Sequence, residues 1–466
     1  MPAASHVYRN INAHKKFEFG RSRTNSFLSC IIKVQLANHF HYFFSYFILK
    51  IYEMKRLPFL LFAAIIFWSC SNNEIAQWRG PDRNGIYPDK NLLKEWPADG
   101  PALELKIENL GKGLSQPVLY KGVIYITGLK HDSLDVISAC KMDGTLIWEK
   151  PFSTAWQRTY PESRGTPTIE NDKIYLIGGS GELVCLNAKN GDLIWKQDPH
   201  NDFEGKYKHW GIVESVLLSD KAALYVTGGG NTTVVAYDKT TGELLWKSKS
   251  TGGPKSYASS LLVEWGGKQI ALVQTSDDLI GIDVGTGEVL WTYNTIQYHN
   301  KKGSGEAANT PLFHNGEIFI TYGNDQPGLL FGLSDDAKSI QLKWQNELLD
   351  THHGGLVLLD GVIYGSNMID NTRGNWAAVD WQSGDTLWEE NWFTKGSVIA
   401  ADGMLYFYEE KSGNVALVQP DTQQLKVVSS FKVNAGEGPH WAHPSIYKGM
   451  LFIRHGTVLM VYDLKK

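Results

Sequence analysis

Two patterns of apolar and polar positions alternate along most of the chain. The first is a short apolar run, a turn pair and a second apolar run: VLYKGVIYITG, TIENDKIYLIG, LLSDKAALYVTG, LFHNGEIFITYG, LVLLDGVIYGS, VIAADGMLYFY and SIYKGMLFIRHG. Asn, Asp and Gly tolerate the backbone of tight turns, and the flanking runs are rich in β-branched and aromatic residues, so each predicts a hairpin. The second pattern follows it. VVAYDKTTGELLW, ending at Trp246, returns about every forty-five residues in copies ending at Trp148, Trp195, Trp291, Trp344 and Trp388, with a weaker copy ending at Val427.

With the tryptophans in register, the other columns carry turn chemistry. Eight residues before the terminal position stand Cys140, Asn187, Asp238, Asp283, Asp336, Asp380 and Gln419; four before stand Gly144, Gly191, Gly242, Gly287, Ile340, Gly384 and Gln423. An Asp or Asn side chain accepts from amides two or three residues on, and a Gly takes positive φ at little cost, so most copies turn a tight corner between two strands. Ten before the Trp the residue is small (Ser138, Cys185, Ala236, Gly281, Ser334, Ala378), which leaves room for an indole. Two hairpins per repeat at this period predict blades of four antiparallel strands, the signature of a β-propeller. The six tryptophans are therefore expected to be structural, packing one blade against the next, in preference to forming a sugar-binding surface.

The last repeat, SIYKGMLFIRHGTVLMVYDLKK, supplies three strands, and PALELKIE at 101–108 supplies the apolar alternation of a fourth, with Leu105 where a Trp would stand. The expectation is an all-β, eight-bladed propeller over 101–466, closed by an N-terminal strand that completes the last blade. Such closure removes the exposed sheet edge.

Upstream of the repeats the chain changes character. MKRLPFLLFAAIIFWSC, from Met54, has a basic start, a twelve-residue apolar run and a small residue before Cys70, too short to span a bilayer and suited to a signal-peptide core. It resembles a bacterial lipobox, which implies a signal over 54–69, lipid attachment at Cys70 and a cell-envelope location at the outer membrane, facing the periplasm or the cell surface, with an ordinary cleaved signal as the alternative. Residues 1–53 carry no repeat element and are expected to be an upstream extension of a protein that starts at Met54. Residues 70–100 are expected to be a tether that includes WRGPDRNG.

Composition agrees with an exported globular protein: 20% charged residues, a net charge of −4, and no basic surplus for nucleic acid. Beyond Cys70 only Cys140 and Cys185 remain, two positions out of register in adjacent repeats, so a disulfide is not favoured. No CxxCH haem motif, CxxC zinc pair, Walker loop or nucleophile elbow occurs.

The AYDKTTGELLW form resembles the tryptophan-docking motif of the quinoprotein-like eight-bladed propellers, the PQQ-like repeat family, over roughly 77–466, and WRGPDRNG resembles the N-terminal signature of a bacterial branch of it. The resemblance implies the fold and leaves two activities open. Quinone-dependent alcohol dehydrogenases of this family carry a vicinal Cys pair, calcium ligands and long loops, which this chain lacks. Propeller lipoproteins of the outer-membrane protein assembly machinery share its size and anchor and bind no cofactor. The first expectation is thus a non-catalytic, lipid-anchored binding or scaffolding propeller without a cofactor, partnered by envelope proteins; pyrroloquinoline quinone (PQQ) chemistry and an envelope sensor are the alternatives.

Residues just before each innermost strand should ring one mouth of the channel. By register these are Gln116, Arg164, Thr166, His209, Tyr257, Asn309, Thr310, His353, Lys395, Trp441 and His443, with Trp156, Arg158 and Tyr160 as a lid loop beside Arg164. Cations from separate blades would draw a small anionic ligand or an acidic partner loop; the plainer reading is a wet channel lining. His352 with His353 and His440 with His443 lack acidic partners at fixed spacing, and no metal site is expected.

Overall fold

The structure, a computed structural model, describes residues 74–299 and 306–465. The extension at 1–53, the signal at 54–69 and the lipid site Cys70 lie outside them. Among the described residues no helix is long and apolar enough to cross a membrane.

Eight antiparallel four-stranded meanders follow one another around a ring: blade 1 at 118–154, blade 2 at 168–197, blade 3 at 217–247, blade 4 at 261–294, blade 5 at 312–346, blade 6 at 357–390, blade 7 at 396–432 and blade 8 at 445–463. Blade 8 takes its outer strand from Ala102–Ile107, which runs antiparallel to Val458–Asp463 with Leu105 opposite Val461. The two ends of the ring thus share one sheet. The inner three strands of each blade are almost wholly buried and the outer strand alternates, as expected when sheets stack face to face.

The repeat columns explain the stacking. Asp238 accepts from the amides of Thr240 and Thr241 at 2.7 and 2.9 Å, and the amide of Gly242 closes on the Asp238 carbonyl at 2.8 Å. That corner sits under the indole of the preceding blade. At Gly287, where φ is +79°, a Cβ would strike the Trp246 ring, so the Gly column serves both the turn and the docking. Each docked indole then donates across the blade boundary: Trp148 to Ala188, Trp195 to Lys239, Trp246 to Val284, Trp344 to Trp381 and Trp388 to Asp421, at 2.8–3.3 Å between nitrogen and carbonyl. Leu105 packs on Gly144 in the same way, which carries the docking across the closure.

Trp291 departs from the pattern. Blade 5 has Ile340 where blades 1, 2, 3, 4 and 6 have Gly; blade 7, with Gln423 there, still receives the Trp388 indole at Asp421. Trp291 lies instead over Gly281 of its own blade, and its Nε1 has no hydrogen-bond partner among the described residues. Trp265, on the inner strand of blade 4, bridges to blade 5 by donating to the Ser334 carbonyl at 2.9 Å and lying over Gly316.

Residues 74–100 of the segment expected as a tether are part of the folded body. Ala76 pairs antiparallel with Ile169 on the inner strand of blade 2, and strand β1, Ile86–Tyr87, pairs parallel with Ala400 and Ala401 on the inner strand of blade 7. Residues 74–87 therefore run one way along the inner strand of blade 2 and the other way along that of blade 7, three places round the ring. The chain then continues beneath blades 7 and 8, where Trp96 packs on Tyr406 and Phe431, before it reaches β2, Ala102–Ile107.

The turn of this arm, Trp78 to Arg83, touches every blade. The Arg79 amide donates to the Gln116 side chain ahead of blade 1, and the Trp78 indole donates to Thr310 ahead of blade 5. The Arg79 guanidinium donates to the carbonyls of Leu356 and Val398 and to His443, at blades 6, 7 and 8. The Arg83 guanidinium donates to Thr168, to the carbonyls of Ser215 and Val216, and to the Ser260 carbonyl, at blades 2, 3 and 4. Both arginines are 2% exposed, so burial lowers their pKa, to about 10 and about 9, yet leaves them charged at neutral pH. Saturation by carbonyls is what makes that burial tolerable. Gly85 permits it, because a Cβ there would overlap the Arg79 guanidinium.

Candidate functional site

Above the arm, the channel mouth is a cup of about 300 Å³. Its floor is Trp78, tilted against His443 with ring centroids 4.6 Å apart. A chain of ring contacts forms part of the rim: Trp210 to Tyr160 at 5.9 Å, tilted, then Tyr160 to Trp441 at 5.0 Å and Trp441 to His353 at 5.4 Å, both edge-on. Tyr257, Ser259, His352, Asn371, Arg164, Lys395 and Glu410 complete the lining with Leu114, Thr166, Val213 and Ala308.

Of the residues expected at the mouth, Arg164, Thr166, Tyr257, His353, Lys395, Trp441 and His443 line this cup. His209 is exposed outside it, edge-on to Trp210 at 4.6 Å. Asn309 is buried in the wall, where it donates to the carbonyls of Thr351 and His352 and accepts from Gly355. Gln116 and Thr310 serve the arm. The lid loop splits: Tyr160 enters the rim, whereas Trp156 is buried against Tyr207 and Gly211 and Arg158 lies over its ring. Sequence register missed Trp78, Trp210, Ser259, Asn371 and Glu410. A signal was present for the first two, as Trp in polar segments outside the repeat columns.

The charges are less open than register suggested. Lys395, 3% exposed, is paired with Glu410, 7% exposed, and also donates to the Asn371 carbonyl at 2.9 Å. Arg164 donates to the carbonyls of Trp210, Thr159 and Tyr160. Burial first, and the Arg79 charge second, hold His443 well below its usual range, and burial with Lys395 brings His353 down to about 4. The cup is therefore an aromatic-walled site with one internal ion pair, and among the described lining residues Arg164 is the cation without a carboxylate partner there, fewer open charges than register suggested.

Among the described residues no group of three or more His, Cys, Asp or Glu side chains is placed to hold a metal. Cys140 and Cys185 are unpaired and buried within their blades. PQQ carries three carboxylates; of the two cations facing the cup, Lys395 is paired with Glu410 and Arg164 donates to backbone carbonyls.

Fold and mouth together define an eight-bladed PQQ-like propeller whose channel is plugged by its own N-terminal arm and whose open end is an aromatic cup. The chain belongs to the family described as outer membrane protein assembly factor BamB, whose model matches residues 133–390. It is 24% identical to the BamB of Yersinia pestis over 48% of this chain and 52% of that protein. A polyvinylalcohol dehydrogenase of Sphingopyxis is also 24% identical, over 30% of this chain and 24% of its own length. The matched stretches thus span about half, or less, of those relatives. Among solved structures, BamB from Moraxella catarrhalis superposes with a TM-score of 0.57 at 16% identity, over 78% of this chain and 99% of that one. The quinohemoprotein alcohol dehydrogenase of Comamonas testosteroni gives 0.59 at 11% identity, over 82% and 79%. These likenesses concern the fold.

Proposed function

We propose that this chain is a non-catalytic binding propeller of the bacterial cell envelope, anchored through lipid on Cys70 and acting as a scaffold in outer-membrane protein assembly. The observation that carries the reading is the arm: the channel centre is filled by Arg79 and Arg83 bonded to all sides of the ring, so the core is a structural hub and recognition is left to the cup and the outer surface. The family model and the BamB relatives support the assembly role. The dehydrogenase relatives favour a quinone-dependent oxidoreductase as the second reading, against which the paired charges of the cup argue.

The test is capture from detergent-solubilised envelopes with tagged protein expressed from Met54. Recovery of outer-membrane assembly proteins with the wild type, and their reduction with Trp441→Ala, is the expected result. Recovery of none of them removes the assembly role.

A further inference from the structure

The lining of the cup says what kind of guest it takes. Trp78, Trp210 and Trp441 are each partly exposed and Tyr160 is 47% exposed, although large aromatic surface facing water is unfavourable. A concave site of about 300 Å³ with aromatic walls and a few convergent polar groups is the usual form of a small-ligand pocket.

The polar groups are of one type. The Tyr257 hydroxyl accepts from the Trp210 amide at 3.2 Å and keeps its proton to donate; Ser259 accepts from the Ser215 amide at 2.9 Å and does the same. The side-chain amide of Asn371, on an exposed loop of blade 6, makes no hydrogen bond among the described residues and offers both donor and acceptor. Oε2 of Glu410 lies 3.6 Å from Nε2 of His353, so this oxygen keeps acceptor capacity while Oε1 serves Lys395.

Mixed donors and acceptors, few of them charged, match hydroxyl groups, which are both. An anion would find Lys395 already paired with Glu410 and the Arg164 guanidinium turned to the carbonyls of Trp210, Thr159 and Tyr160. An aromatic side chain from a partner would fill the walls but strip water from these polar groups without replacing their bonds.

We propose that the cup is a saccharide site, which takes an uncharged sugar ring with its apolar face against the aromatic wall of Trp441 and Trp210 and its hydroxyls toward Asn371, Tyr257 and Glu410. The inference rests on the reading of the cup as a recognition site and not on the assembly role.

Tryptophan fluorescence of the purified protein, titrated with cellobiose, maltose, lactose and N,N′-diacetylchitobiose, tests it. Saturable change with at least one of them, at a Kd of about 10 mM or tighter, is expected, with little dependence on salt. Trp441→Ala and, on the exposed loop, Asn371→Ala should each weaken that binding about tenfold or more, roughly 1.4 kcal/mol, with unchanged melting for the Asn371 variant. The proposal is overturned if none of these sugars binds, if neither variant weakens binding, or if galacturonate or N-acetyltryptophanamide binds more tightly than every neutral sugar. Protein that captures assembly partners yet ignores sugars sinks this inference alone; protein that binds sugar yet captures nothing sinks the assembly reading alone.

Discussion

Arg79 donates through Nη1 to Nδ1 of His443 at 2.9 Å, and the same imidazole meets the His353 carbonyl through Nε2 at 2.8 Å. Because a guanidinium only donates, the first bond fixes Nδ1 as acceptor and the second requires the proton on Nε2. One neutral tautomer thereby joins the arm that plugs the channel to the rim of the cup above it. Replacing Arg79 by Ala strips donors from the Leu356 and Val398 carbonyls and from His443, so unfolding in urea should show a loss of about 2 to 4 kcal/mol. Arg79→Lys should recover little, since one ammonium does not reproduce a planar fork. A wild-type-like midpoint for Arg79→Ala would show that the ring closes without the arm.

The tautomer also makes a pH prediction. Burial depresses the His443 pKa well below 6.5 in the folded state, so between that value and 6.5 the unfolded chain binds a proton that the folded one does not. The contribution of this residue to stability is present above pH 6.5 and is lost as pH falls. Buried acids such as Asp350, raised to about 7, act in the opposite sense, so the comparison must be between variants. The stability difference between wild type and His443→Gln, which keeps an acceptor and a donor, should shift toward the variant from pH 7 to pH 5. A difference independent of pH would contradict the fixed neutral imidazole.

The tryptophan column was legible in the sequence, and its one irregularity tests the packing account. Trp246→Ala should destabilise by about 3 to 5 kcal/mol, the range for emptying a buried aromatic site. Trp265→Ala should cost a similar amount, because this indole makes the bond between blades 4 and 5. Trp291→Ala should cost less than either, having no Nε1 bond to lose. Chemical denaturation of the three variants decides the order, and a Trp291 variant as damaged as the Trp246 one would reject it.

Blade number, the closing strand and the Gly and Asp corners could be read because side chains of fixed type recur at fixed spacing. The arm could not, since WRGPDRNG has no apolar alternation and its arginines bond mainly to backbone carbonyls, which any sequence supplies. The cup was half legible for the same reason: register places Arg164, Lys395 and His443 at the mouth, but nothing in the spacing reveals that Glu410 folds back to pair with Lys395. Trp78 reaches the floor only because the arm carries it there.

The anchor is tested by metabolic labelling with a fatty-acid analogue. Protein expressed from Met54 should incorporate it and Cys70→Ala should not; equal labelling of both would remove the lipid from the account.

The most direct test of a binding rather than a redox propeller is dye-linked alcohol oxidation by the purified protein with PQQ and calcium added. The account predicts a rate no higher than that of the same mixture without protein. Dye reduction that needs both the protein and the added quinone would contradict it.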